Sequence, residues 1–174
     1  MKTFSIFCLA AGIAILGISC HRSTTIPVQK TDLELEKQRV DQVVHNAICW
    51  AMTKDTVTLY NTFVPDSTLF IFSPDSASTL TGIKAIHDLA DHVWMTDRFK
   101  ALECNIRDLR IQFSQHGDVA WYSCYLDDIS TLDGKLAGWR NVRWTGVLEK
   151  KQGEWLIVQM HFSFPEERFK KLMR

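Results

Sequence analysis

Val40, Val43, Val44, Ala47, Ile48 and Ala51 recur at spacings of three and four, laying one apolar stripe along an amphipathic helix that runs to about Thr53. Thr31-Asp32-Leu33-Glu34 ahead of it has the form of a capping box, so the helix is expected to begin there. Asp55 stands where it would cap a second, short helix carrying Val57, Leu59, Tyr60 and Phe63. The run from Ser67 to Ser73 predicts a strand, closed by Pro74 and the polar loop Asp75 to Thr79. Thr81-Gly82 then opens a third helix with Ile83, Ile86, His87, Ala90, Val93 and Trp94 on one face.

From Lys100 the period shortens to that of strands. His116-Gly117, Asp133-Gly134 and Gln152-Gly153 each put a glycine where a hairpin needs positive φ, and they cut this half into a four-stranded antiparallel meander. Leu102, Cys104 and Ile106 fall out of phase with Leu109, Ile111 and Phe113, which predicts a β-bulge near Arg107-Asp108. In the last strand both faces are apolar, with Leu156, Val158, Met160 and Phe162 on one and Trp155 and Ile157 on the other. If helices cover one face, a second copy of the chain is expected on the other, giving a homodimer. The architecture is therefore α+β, with N-terminal helices packed in a curved antiparallel sheet.

Met1 to Cys20 is set apart from this pattern. Lys2 precedes an uncharged apolar run, Phe4 to Ile18, too short for a comfortable membrane span but suited to a signal peptide. Gly17 and Ser19 just before Cys20 resemble the lipobox of bacterial lipoproteins, although Leu16 sits one step early; ordinary secretion with cleavage nearby is the alternative. The expected organisation is a signal peptide over 1–19, a lipidated flexible tether over 20–30 and one domain over 31–174. Location follows as the bacterial cell envelope, on a lipid anchor facing the periplasm or the cell surface.

The 174 residues carry equal numbers of acidic and basic side chains, and cleavage leaves the chain with about one negative charge. No basic cluster offers a groove for nucleic acid. Zinc-binding, phosphate-loop, dinucleotide and nucleophile-elbow patterns are absent, so no metal and no cofactor is expected. Cys49, Cys104 and Cys124 lack metal-ligand spacing; one disulfide is an option, and three buried small hydrophobes are the favoured reading.

Several local stretches resemble one family in order. Gly82-Ile83-Lys84-Ala85-Ile86, Gly117-Asp118-Val119-Ala120, Arg143-x-Thr145, Gly153-Glu154-Trp155-x-Ile157 and His161-x-Ser163 resemble the SnoaL-like and DUF4440-like branch of the nuclear transport factor 2-like superfamily, over roughly residues 38 to 165. Leu156 and Met160 depart from it, standing where compared members often carry polar residues. The resemblance implies a cone with a pocket between sheet and helices. It does not imply one activity, since the superfamily holds isomerases, cyclases, dehydratases, epoxide hydrolases and non-catalytic oligomerisation and transport domains.

Taking Lys151-Gln152-Gly153 as a three-residue loop sets Arg143 opposite His161 and Thr145 opposite Gln159, on a face shared with Trp155 and Ser163. A neutral His161 beside the Arg143 cation would then serve as a general base or as a hydrogen-bond partner for a ligand carbonyl, with Arg143 as an anion anchor or electrophile. A one-residue slip would set Arg143 against Phe162 and dissolve the group, and a purely structural polar network is the competing reading. Trp94 is expected to line the pocket, and Tyr122 is preferred over Tyr125 as the inward tyrosine if Asp133-Gly134 is a two-residue turn. His87 is expected in the core. Asp127 and Asp128 are expected in solvent, which leaves no carboxylate confidently inside. The leading functional expectation is a domain that binds a small apolar or mixed-polarity ligand, touching the membrane only through its anchor. The alternatives are an isomerase, dehydratase or cyclase using His161 with Arg143 or Tyr122, and a dimerisation or docking module.

Overall fold

The computed structural model describes residues 30–165. The leader, Cys20 and the tether up to residue 29 lie outside the described residues. Helix α1 spans Lys30–Cys49 and runs into a 3-10 turn at Trp50–Met52. It therefore starts before Thr31, inside the stretch expected as tether, and Thr31 falls in its first turn rather than at its cap. Helix α2 (Thr56–Thr62) is capped as expected, with Asp55 Oδ1 accepting the backbone N–H groups of Val57 and Thr58 at 3.1 Å. Helix α3 (Ile83–Leu89) continues through a π turn to Trp94.

Six strands form one sheet in the order β2-β1-β6-β5-β4-β3. They are β1 (Phe70–Phe72), β2 (Leu80–Thr81), β3 (Phe99–Phe113), β4 (Val119–Leu132), β5 (Lys135–Lys151) and β6 (Glu154–Ser163). The last four are the expected meander. The sheet as a whole is mixed, not antiparallel, because β1 pairs in parallel with β6. No hairpin joins those two strands: the chain leaves β1, builds α3 and the whole meander, and only then returns beside it.

Besides a register shift at Leu102 of β3, between Ala101 and Glu103, three bulges shape the sheet. The register between β3 and β4 shifts between Arg107 and Arg110, with Asp108 at a φ of 54°, as the phase slip predicts. In β5, Arg140-Asn141 is extra against β4, and Asn141 also has a φ of 54°. In β6, Val158 is extra against β5, between the pairs Val147↔Gln159 and Leu148↔Ile157.

The third bulge corrects the expected register. Gln152-Gly153 is a two-residue turn with both φ positive, so Lys151 pairs with Glu154. Beyond Val158, Arg143 then stands opposite Ser163 and Thr145 opposite His161. The bulge also switches faces. Trp155 and Ile157 join Met160 and Phe162 in the core, whereas His161 and Ser163 alternate onto the outer face. The double-sided apolarity of this strand thus comes largely from one change of phase.

The core lies between α1 and the inner sheet face, where Val40 and Val44 pack with Leu126, Val142, Trp144 and Leu148, all fully buried. Gly146 makes room there: a Cβ would fall 2.6 Å from the Tyr122 ring and hydroxyl. Helix α1 is fastened near both ends. Glu36 accepts from Lys150 Nζ at 2.8 Å and Trp155 Nε1 at 2.6 Å. Burial opposes its ionisation, but those hydrogen bonds outweigh it and hold the carboxyl below its ordinary pKa.

At the other end Cys49 is disulfide-bonded to Cys104 of β3, with Cα atoms 5.4 Å apart. This overturns the expectation of three buried thiols; of the three, Cys124 alone is free, and it is buried. Nothing in spacing shows the pairing, because the packing of a helix end on a strand brings the two cysteines together. The bond closes a loop across a separation of 55 residues. Replacing both cysteines by alanine should therefore cost about 2–4 kcal/mol, read as a lower urea midpoint with a steeper slope, because the unfolded chain without the cross-link exposes more surface. An unchanged midpoint would show that the bond constrains nothing.

Candidate functional site

Bending the sheet over the helices leaves a cavity of about 420 Å³ between them. Its walls come from the end of α1 and the following turn (Ile48, Trp50, Ala51), from α3 and its π turn (Ile86, Leu89, Trp94), and from β5 and β6 (Trp139, Met160, Phe162). Aromatic rings dominate: Trp50 meets Trp94 edge-on at 5.6 Å, and Trp139 tilts against Phe162 at 5.3 Å. The polar lining groups are the hydroxyls of Ser73, Ser78 and Ser130 and one carboxyl, Asp128.

Asp128 is the residue that sequence reasoning set aside. In β4, Ala120, Tyr122, Cys124 and Leu126 all point into the core, and period two carries Asp128 and Ser130 to the same side. Asp127 takes the other face, where it accepts from Asn141 N at 2.6 Å and Arg107 Nη2 at 3.2 Å, and these contacts hold its pKa below the usual value. Neither carboxylate is freely solvated, contrary to expectation.

Asp128 makes no hydrogen bond or ion pair among the described residues, and burial pushes its pKa up to about 6. Its cross-strand neighbours are Cys104, tied up in the disulfide, and Trp139. Beside Trp139, Gly138 has a φ of 94°, and a Cβ there would meet the Asp128 carbonyl oxygen at 2.0 Å. Glycine at 138 is therefore what lets β5 close on β4 at the cavity wall.

The residues singled out from sequence divide between two sides of the sheet. Trp94 lines the cavity. Asp133-Gly134 is the two-residue turn, but the bulge at Arg140-Asn141 then shifts the register, so Tyr122 stands opposite Gly146 and not on the Thr145 side. It points into the core beside Trp144 at 5.0 Å, its hydroxyl has no partner among the described residues, and burial raises its pKa. Arg143 and Thr145 lie on the outer face, in a depression of about 200 Å³ shared with Asp108, Arg110, Ser123 and Tyr125. Arg143 donates to the Phe164 carbonyl at 3.1 Å. The His161 ring stacks on Phe72 at 5.4 Å on that same face, and Ser163 faces Arg143 there. The expected inner group of Arg143, Thr145, His161 and Ser163 is thus brought together outside the cavity: the Val158 bulge turns His161 and Ser163 outward, and in β5 the alternation with buried Val142, Trp144 and Leu148 sets Arg143 and Thr145 on the same outer face. His87 is exposed rather than in the core, its ring against Tyr60 at 4.4 Å.

Helices held inside a bent sheet around one apolar cavity define the class as the nuclear transport factor 2-like cone. Residues 40–167 match the family model of the SnoaL-like domain, and the chain belongs to that family. No curated protein sequence matches the chain. Solved structures share the fold at low identity. An NTF2-like protein with a cystatin-like fold from Novosphingobium aromaticivorans is 14% identical, with a TM-score of 0.60 over 83% of this chain and 92% of that one. A candidate dehydratase of the NTF2-like family from Streptomyces avermitilis is 16% identical, with a TM-score of 0.61 over 77% and 99%. The association domain of CaMKII from C. elegans is 18% identical, with a TM-score of 0.54 over 75% and 97%.

An ionised carboxyl without a partner is a destabilising group. The folded pKa of Asp128, about 6, lies above an unfolded value near 3.8. Its share of stability is therefore full below the unfolded value and lost as pH rises through 6. Asp128→Asn should stabilise the protein by about 2–3 kcal/mol at pH 7.5 and by less than about 1 kcal/mol at pH 4, measured as the difference in thermal midpoints. A variant less stable than the parent at pH 7.5 would contradict this account.

Proposed function

We propose that this SnoaL-like chain binds a small, largely apolar molecule, and that it does so outside the cytoplasm of a bacterium, anchored by lipid on Cys20. The binding reading is carried by the cavity, whose volume and aromatic walls with few polar groups are those of a small-molecule site. The Cys49–Cys104 bond supports export, because disulfides persist in oxidising compartments. Among the described residues no helix is long and apolar enough to cross a membrane, and membrane contact in this reading is made by the lipid.

A second reading, an enzyme of isomerase, dehydratase or cyclase type, is favoured by Asp128. A carboxyl with a pKa near 6 in an apolar cavity is suited to moving a proton at a carbonyl-bearing substrate. In that reading Asp128 takes the role first expected of His161. The solved neighbours point both ways, one a candidate dehydratase and one an association domain. Phe70, Phe72, Trp121 and Tyr125 on the outer face support pairing of two copies.

Native mass spectrometry of the full-length chain, purified gently from a bacterial envelope, tests the pocket. A reproducible added mass of small-molecule size is expected on a dimer. Ala51→Trp, which fills the cavity, should abolish it at a stability cost of about 1 kcal/mol. An added mass that survives Ala51→Trp would place the ligand elsewhere, and a single chain at micromolar concentration would overturn the dimer. Separately, labelled palmitate should enter the wild-type chain and not the Cys20→Ser variant; equal labelling would remove the anchor.

A further inference from the structure

We infer that the cavity is a site for a hydrophobic cation, an amine or quaternary ammonium, seated among Trp50, Trp94 and Trp139 with Asp128 as its counter-charge. This rests on the binding reading and names the ligand class for the same cavity. Trp50 and Trp94 approach the space from the helix side and Trp139 from the sheet, where it is the cross-strand neighbour of Asp128. Indole faces attract cations more strongly than other aromatic side chains, and the attraction grows where water is excluded.

The carboxyl gives the preference a direction. Every other side chain lining the cavity is uncharged, whether it comes from α1, α2, α3, β1, β5 or β6. Cys104, opposite Asp128 on β3, is held in the disulfide and does not titrate. The paired cation of this segment, Arg107, serves Asp127 on the outer face. At neutral pH the cavity thus holds a negative charge that the described protein does not neutralise. A neutral apolar ligand would strip remaining water from that charge and return nothing. A cation of the same shape returns both the ion pair and the cation–π contact. The carboxyl ionises near pH 6, so the preference for a cation weakens as pH falls through that value.

The test uses two probes of one shape, benzyltrimethylammonium and its carbon isostere neopentylbenzene, titrated into the full-length chain and read by tryptophan fluorescence. At pH 7.5 the cation should bind at least roughly tenfold more tightly than the isostere. That gap should close at pH 5 and in Asp128→Asn, and it should narrow in Trp139→Leu. Equal or tighter binding of the neutral isostere at pH 7.5 would overturn the cation inference and leave the cavity as a binding site. Binding of neither probe would overturn the binding reading and the inference with it. A preference unchanged in Asp128→Asn would overturn the role given to that carboxyl.

Discussion

A straight strand of 15 residues runs about 50 Å, far longer than a cavity of this size is wide. The meander encloses space only because its long strands bend, and they bend at single extra residues. Asp108 in β3, Asn141 in β5 and Val158 in β6 each interrupt a ladder, and two of them adopt positive φ. Each insertion also reverses which side chains of its strand face inward from that point on. Curvature and the identity of the inner face are therefore one property, fixed by where the extra residues fall.

β4 is the strand without an insertion of its own at the cavity, and it delivers the cavity's carboxyl. Its even-numbered residues point inward from Ala120 to Ser130, apolar at first and then Asp128. A core built for stability alone would hold an aliphatic residue there, and the raised pKa of Asp128 shows the site working against its ionised form. Neutral replacement is expected to favour folding. The same replacement removes the only charged side chain that lines the cavity among the described residues, and a destabilising group at such a position is the pattern of one held for function.

Helix stripes, the Asp55 cap, the three hairpin turns and the bulge at Arg107-Asp108 are all legible in the sequence, because each depends on residues close along the chain. The sheet edge is not: the parallel pairing of β1 with β6 joins residues 89 apart in sequence, as Phe72 pairs with His161 (161 − 72). The candidate site fails for a local reason. A run of Leu156, Ile157 and Val158 reads equally well in either phase, so the bulge at Val158 leaves no polar marker. That phase change is what sets His161 and Ser163 on the outer face; for Arg143 and Thr145 the alternation with Val142, Trp144 and Leu148 in β5 marks the outer face directly. Asp128 was within reach, since the alternation through Tyr122, Cys124 and Leu126 leads to it without a break. Trp94 was found because a helix stripe tolerates no such slip.

Helix α1 converts this sheet geometry into a cavity whose walls are held in place by the chain itself. The Glu36 carboxylate ties its first turns to the β5–β6 hairpin, and the Cys49–Cys104 bond ties its end to β3 at a cross-strand neighbour of Asp128. Between those anchors Ala47 and Ile48 form the helix side of the cavity. With both ends of that wall fixed, the helix cannot fold inward to bring other groups to Asp128 or to fill the space with its own side chains. A ligand then bears little cost for ordering the wall, and its affinity is set mainly by how well it covers the rings and answers the carboxyl. Reduction of the disulfide would free the end of the helix that carries Ala47, Ile48 and Trp50. The oxidised state of the chain and the shape of its cavity are in this way coupled through one short segment.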